Sequence, residues 1–255
     1  MSSPSLHIGI IGIGGRMGRE IVNAASLDPT VEVVGGTVRP GSGVTVDGIP
    51  TYDDLTRLVP EVDVLIDFTT PETTIATVEQ AVVSGIPLVI GTTGLSEAQL
   101  AVVRDAATTI PVFYARSMAH GINALLRALP AIAQALTGYD IEIVEMHHRH
   151  KKDAPSGTAL ALIEAVASGL ASDPALPTNH TYGRSGYAPR QSGEIGFHSL
   201  RGGGNTGEHT IVFASDGEEV RISHRALNRG AFAAGAVRAA REIAGKAPGW
   251  YGPPL

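Results

Sequence analysis

Over its first half the chain alternates short, almost uninterrupted apolar runs with segments of helical periodicity. Ile8–Ile11, Val31–Gly35, Val62–Phe68, Leu88–Ile90 and Val112–Tyr114 are rich in valine, isoleucine and leucine, and each reads as a strand. Met17–Ala25, Pro71–Ser84 and Ser96–Ala107 lie between them and read as helices. A strand that is apolar on both sides needs cover on both sides, so the pattern predicts a parallel sheet with helices on each face.

The texture changes after Tyr114. A helix over Gly121–Leu136 leads to a strand at Asp140–His147, and a second helix starts beyond Pro155. Three strands then follow one another, Gly193–Arg201, Glu208–Ala214 and Glu219–Ala226. In the last, Val220, Ile222 and His224 share one side while Arg221, Ser223 and Arg225 share the other. Successive strands without intervening helices predict a mixed sheet in an α+β second domain. The alanine-rich helix near Arg229–Ala244 fits either domain, and Ser172–Ser192, with its proline, glycine and serine, reads as a surface loop. The fold class expected is therefore α/β, a Rossmann-like parallel sheet domain joined to an α+β domain.

Composition removes several classes of function. A net charge of −6 leaves no overall basic surface for nucleic acid. The absence of cysteine excludes disulfides, thiolate metal sites and a cysteine nucleophile. No apolar run nears the roughly 20 residues that span a bilayer, and Met1–His7 runs directly into the first strand. The expectation is a cytoplasmic protein with no membrane partner and no resident metal.

Chemistry concentrates in a few places. Gly12, Gly15 and Gly18 follow the first strand and open a helix. Gly12 suits the tight turn, Gly15 lets backbone approach a pyrophosphate, and Gly18 permits close packing of helix on sheet, with Arg16 and Met17 at the helix start. The spacing departs from the usual dinucleotide fingerprint, and a turn without ligand remains the alternative. The second strand ends with Val38-Arg39 and lacks the acid that accepts from a ribose 2′-hydroxyl. Arg39 suits a 2′-phosphate, which favours NADPH over NADH, or it is a solvated turn residue. Phe68, Thr69, Gly91 and Thr93 fall at two further strand ends, where ligands of open α/β sheets bind, although threonines there also cap helices.

Six of the seven residues from His147 to Asp153 are potentially cationic in a chain that is acidic overall. They imply an anionic ligand. Ser156-Gly157-Thr158 follows at a helix start, where N–H groups and hydroxyls clamp carboxylates. Three other readings stay open: a metal held by His148 and His150 on one strand face, a solvated strand end, and an RNA patch, which the absence of interleaved aromatics disfavours.

With Gly12–Gly18, Asp67-Phe68-Thr69, Gly91–Gly94, Glu145–Thr158, Gly207-Glu208-His209 and Phe232–Ala236 in view, the chain resembles the dihydrodipicolinate reductase family along nearly its whole length. The resemblance implies a dinucleotide domain of residues 1–119 completed by 230–255, and a domain of residues 120–229 that binds substrate and forms a homotetramer. It implies NAD(P)H-dependent reduction of 4-hydroxy-tetrahydrodipicolinate, a small dicarboxylate of the diaminopimelate and lysine pathway. His147 would be the proton donor, His148, Lys151, Ser156, Gly157 and Thr158 would hold the carboxylates, and Lys151 would be catalytic together with His147. The family's Ala-x-Asn-Phe-Ser is replaced by Ala115-Arg116-Ser117-Met118-Ala119, which puts Met118 where an aromatic usually approaches the nicotinamide. Two rivals remain: a reductase of another small dicarboxylic, amino or imino acid on the same fold, and a non-catalytic dinucleotide sensor.

Overall fold

The alternation of apolar side chains divides the first sheet into two buried faces. In a computed structural model, which describes residues 5–46, 48–170 and 179–253, the chain separates into two compact units. One runs to Ala119 and resumes at Arg229; the other is His120–Asn228.

The first unit holds β1 (Leu6–Ile11), β2 (Val31–Thr37), β3 (Thr51–Tyr52), β4 (Val64–Asp67), β5 (Leu88–Ile90), β6 (Pro111–Tyr114) and β12 (Gly249–Trp250). Their order is β12-β6-β5-β4-β1-β2-β3, and every pairing is parallel. Ile8, Ile10, Val64, Ile66, Val89 and Phe113 point to one face, where they meet Ile21 and Ala25 of α1 (Arg16–Ser26) and Ala233, Ala236 and Ala240 of α6 (Gly230–Ile243). Leu65, Leu88, Ile90, Val112 and Tyr114 point to the other, onto Val78 and Ala81 of α2 (Pro71–Ser84) and Leu100 and Val103 of α3 (Glu97–Ala106). Each fully buried aliphatic side chain of this kind stabilises the fold by about 1.5–3 kcal/mol. The strand order reverses between β1 and β4, so their carboxyl ends open the crevice in which such sheets bind ligands.

The second unit carries β7 (Asp140–His147), β8 (Asn179–Tyr182), β9 (Glu194–Arg201), β10 (Glu208–Ala214) and β11 (Glu219–Arg225), in the order β11-β10-β7-β9-β8. β10 runs antiparallel to both neighbours, whereas β7, β9 and β8 are mutually parallel, so the sheet is mixed. Its helices α4 (His120–Ala135) and α5 (Gly157–Leu170) pack closely on one another. Ile141, Ile143, Glu145 and His147 of β7 are buried, while the residues between them stay half-buried on the outer face. On that outer face Glu142 gathers Arg184, Arg190 and His198.

Two sequence expectations need correction. Ser172–Ser192 is not wholly loop: residues 171–178 lie outside the described residues, but Asn179–Tyr182 forms β8. This edge strand is largely exposed and pairs on one side only, so it carries no apolar alternation for the sequence to reveal. The strand expected from Val62 to Phe68 is shorter, Val64–Asp67, because Val62 ends a tight helical turn over Val59–Glu61.

Candidate active site

The first unit concentrates its ligand-binding geometry at the ends of β1, β2 and β4. A cavity of about 630 Å³ is lined there by Gly12, Gly15, Arg39, Phe68 and Thr69, all expected from the sequence, and by Thr37, Val38 and Ser42. Gly12 turns with φ +74°, a conformation that L side chains rarely adopt, and a Cβ on it would stand 2.7 Å from Thr69. α2 and α3 both have side-chain caps, Thr70 and Ser96, whereas Gly15 begins α1 with no side-chain cap and no acid in the first turn. The free N–H groups and positive dipole end of α1 thus stay available at the cavity, and they fit the pyrophosphate of a dinucleotide.

A residue the sequence reading left without a role organises the β4 end. Asp67 is fully buried, and its Oδ1 accepts from the Thr69 backbone at 2.9 Å and the Thr69 hydroxyl at 2.6 Å. Burial pushes its carboxyl above the ordinary carboxylate range, against the pull of the Thr69 hydrogen bonds. The signal for it was present: an Asp two residues before a Thr is a local side-chain-to-backbone turn. The buried Thr92 hydroxyl accepts from the Thr69 N–H and the Thr74 hydroxyl and donates to Asp67, whereas Thr93, the expected cofactor contact, is exposed. Gly91 lies against the ring of Phe68. Arg16 is exposed and Met17 packs on the core. Met118 is 2% exposed and sits in the core beside α6, away from the cavity lining.

The second unit builds its site around His147. Glu145 and His147 stand two residues apart on one face of β7, and Glu145 Oε2 lies 2.5 Å from His147 Nδ1. Parallel pairing sets Ser199 beside Glu145 and Arg201 beside His147. Arg201 then grips the carboxylate with both terminal nitrogens, at 2.8 and 2.7 Å, and the Ser199 hydroxyl donates at 2.9 Å. Burial alone would lift the Glu145 carboxyl; hydrogen bonds from His147, Arg201 and Ser199 outweigh it and hold it down at about 2.

Ser156 joins this network. Its N–H donates to Glu145 Oε1 at 3.2 Å, and its Oγ accepts from Ala159 N, which caps α5. Gly157 and Thr158 begin that helix, so their N–H groups have no partner within it. The Lys151 ammonium lies 2.9 Å from Asp153. His148 N–H donates to Asn205 O and Gly202 N–H to His147 O, so the glycine-rich connection Gly202–Gly207 packs against the basic segment. His147, Lys151, Ser156, Gly157 and Thr158 therefore share one region of the second unit. Arg149, His150 and Lys152 are exposed. β7 ends at His147, so His148 and His150 lie beyond the strand, with their rings 6.2 Å apart. Among the described residues no group of three His, Cys, Asp or Glu is placed to hold a metal ion.

His209, named in a motif but given no role, contacts this group through β10. Its Nε2 lies 3.1 Å from Ser156 Oγ, and its ring meets that of His147 edge to face. Burial first, then the neighbouring charge of His147, pushes it down to about 3. The unfolded chain binds a proton below the ordinary histidine value of about 6.5 and the folded chain does not. Stability is therefore complete above that value and declines as pH falls toward 3. The expected slope from this group is up to about 1.4 kcal/mol per pH unit. Urea unfolding of His209→Gln between pH 6.5 and 5, above the window in which Glu145 titrates, should show a shallower loss than the parent; equal slopes would remove the assignment.

Comparison with known proteins follows the division of the chain. Residues 6–118 match the family model described as dihydrodipicolinate reductase, N-terminus, and residues 121–253 the one described as dihydrodipicolinate reductase, C-terminus. The chain is 46% identical to the 4-hydroxy-tetrahydrodipicolinate reductase of Rubrobacter xylanophilus, with 96% of each covered. It is 44% identical to that of Chromohalobacter salexigens, again over 96% of each. A solved structure, the dipicolinate-bound dihydrodipicolinate reductase from Paenisporosarcina sp. TG-14, shares the fold with a TM-score of 0.78 at 24% identity, covering 97% of both chains.

Proposed function

Because the chain belongs to the dihydrodipicolinate reductase family, we propose that it reduces 4-hydroxy-tetrahydrodipicolinate to tetrahydrodipicolinate in the diaminopimelate route to lysine. Net, the substrate takes up one hydride and one proton and loses one water. A reduced nicotinamide dinucleotide supplies the hydride when bound. Its pyrophosphate would rest on the uncapped start of α1, and Arg39 with Ser42 would receive a 2′-phosphate, so NADPH is preferred over NADH.

The observation that carries the reading is the convergence of His147, Lys151 and the first turn of α5 in one region. A dicarboxylate fits it: one carboxylate accepts from the Ser156 hydroxyl and the Gly157 and Thr158 N–H groups, and the ammonium of Lys151 exchanges Asp153 for the substrate. His148 adds to the cationic rim. His147 holds the transferable proton on Nε2, because Nδ1 is occupied by Glu145. The first unit thus serves the dinucleotide and the second the dianion and its proton. The enzyme works in the cytoplasm as a homotetramer joined through the outer face of the second sheet, where Val144, Met146, Leu200 and Val212 stand partly or largely exposed. No helix among the described residues is long and apolar enough to cross a membrane.

The test is the loss of reduced-nicotinamide absorbance with freshly generated 4-hydroxy-tetrahydrodipicolinate, using NADPH and then NADH. Rapid oxidation, faster with NADPH at equal subsaturating concentrations, is expected. Tight dinucleotide binding with no turnover on this substrate would overturn the reading.

A further inference from the structure

Among the described residues of the second unit Glu145 is the carboxylate with the most hydrogen bonds, all of them from protein. It is fully buried, and Oε1 accepts from Ser199 Oγ, from Ser156 N and from one Arg201 nitrogen, while Oε2 accepts from the other. Arg201 is fixed in turn by donating to the Asp153 carbonyl at 2.6 Å and to its neighbour's, Leu200, at 2.7 Å. A buried carboxylate costs stability unless it is paired, so a core serving packing alone would place an apolar residue here. Each of these bonds aims the remaining lone pair of Oε2 at one atom, His147 Nδ1.

We infer that Glu145, held by Arg201 and Ser199, is a positioning residue that fixes the tautomer and ring orientation of His147, so that the proton passed to the substrate leaves from Nε2. The inference rests on the reading of His147 as proton donor. An imidazole that must donate a proton and then regain it has two nitrogens that could carry hydrogen, and a free ring samples both. With Nδ1–H committed to Oε2, only Nε2 exchanges. Nε2 itself makes no hydrogen bond among the described residues, and the space beside it is kept open by Gly207, whose Cβ would stand 3.0 Å from it. The carboxylate also offsets the cations around the ring, Arg201 from β9 and Lys151, paired with Asp153, from the segment after β7, while the buried His209 of β10 faces it as a neutral ring.

The arrangement also contributes to the substrate clamp. Ser156 N–H is tied to the same Oε1, so the start of α5 and the imidazole are referred to one carboxylate. A shift of Glu145 would move proton donor and carboxylate clamp together, which ties two functions to a single buried group.

The test is Glu145→Gln in the full-length protein, assayed with NADPH and 4-hydroxy-tetrahydrodipicolinate across pH. The amide keeps the shape but not the charge. The expectation is a kcat lowered by about 10- to 100-fold with little change in KM for NADPH, and an alkaline limb of the pH profile moved down by about one unit. Ser199→Ala is the second variant and keeps the proposal testable if Glu145→Gln does not fold. It removes one donor from the carboxylate, concentrates charge on Oε2 and should move the alkaline limb the opposite way. A purely structural role predicts no such pair of opposed shifts. Ring-nitrogen shifts of labelled His147, read without substrate, should report a single Nδ1–H tautomer in the parent and a mixture in Glu145→Gln. This readout separates the two readings: absent turnover in the parent would strike the proposed reaction, whereas unchanged ring-nitrogen shifts in Glu145→Gln, or an unmoved pH limb in both variants, would overturn the role of Glu145.

Discussion

Replacing His147 with alanine should slow turnover by about two to four orders of magnitude while dinucleotide affinity stays as it was, the range in which a positioned general acid contributes. The geometry makes this a test of chemistry and not of folding. Removing the ring takes one hydrogen bond from Glu145, but that carboxylate keeps both Arg201 nitrogens, Ser199 and the Ser156 N–H. No unpaired charge is left buried, which is the usual cause of severe loss when one partner of an ion pair is deleted. The cavity that accepts the dinucleotide is lined entirely by residues of the first unit, so its affinity has no reason to change. Single-turnover oxidation of bound NADPH gives the chemical step, and titration gives the affinity. Small imidazoles added to the solution should restore part of the rate, since the vacated space opens beside Gly207. Full activity in His147→Ala would sink the assignment of the proton to this ring, and an equal loss of NADPH binding would show that the variant had disturbed more than the second unit.

What the sequence revealed depended on whether the cause of each feature is local. The five strands and three helices of the first half were legible because each apolar run carries its own periodicity, and the glycine turn because strand, turn and helix are contiguous. The basic segment announced an anion through charge alone. Yet the count of cations concealed the group that matters most to them: Glu145 is two positions before His147, the spacing that puts both on one strand face, and that alternation was available to be read. Ser199 and Arg201 were not. They reach Glu145 only because β7 and β9 pair in parallel register across more than fifty residues of chain, and nothing local encodes that pairing. The same limit hid β8, whose polar residues reflect an exposed edge. It also hid how two expected cofactor contacts are packed: Thr92 turns inward while Thr93 is exposed, and Met118 lies in the core with α6.

Gly18→Ala should lower dinucleotide affinity by at least about tenfold and destabilise the protein by about 1–3 kcal/mol, the usual cost of forcing one extra carbon into a packed contact. The added Cβ would stand 2.5 Å from the carbonyl oxygens of Gly12 and Ile13 and 2.6 Å from the Ile13 Cα. These are backbone atoms of the turn itself, and no rotamer change can clear them. Either the turn opens or α1 lifts. Lifting is resisted because Ile21 and Ala25 anchor α1 in the core with α6. Both adjustments move the uncapped first turn of α1, whose N–H groups must converge on the pyrophosphate to bind it. Gly14→Ala, also at the cavity, is the control for the packing cost. Its Cβ would meet the Val44 side chain at 2.4 Å, a clash as close on paper, but with a methyl group of a partly exposed loop residue that can turn away. Calorimetric titration with NADPH and chemical unfolding of the two variants separate the cases. Gly18→Ala should lose both affinity and stability, and Gly14→Ala much less stability. Parental affinity in Gly18→Ala would mean that the approach of helix to turn is not what presents the phosphate-binding groups, and the glycine spacing would then have to be explained by packing alone.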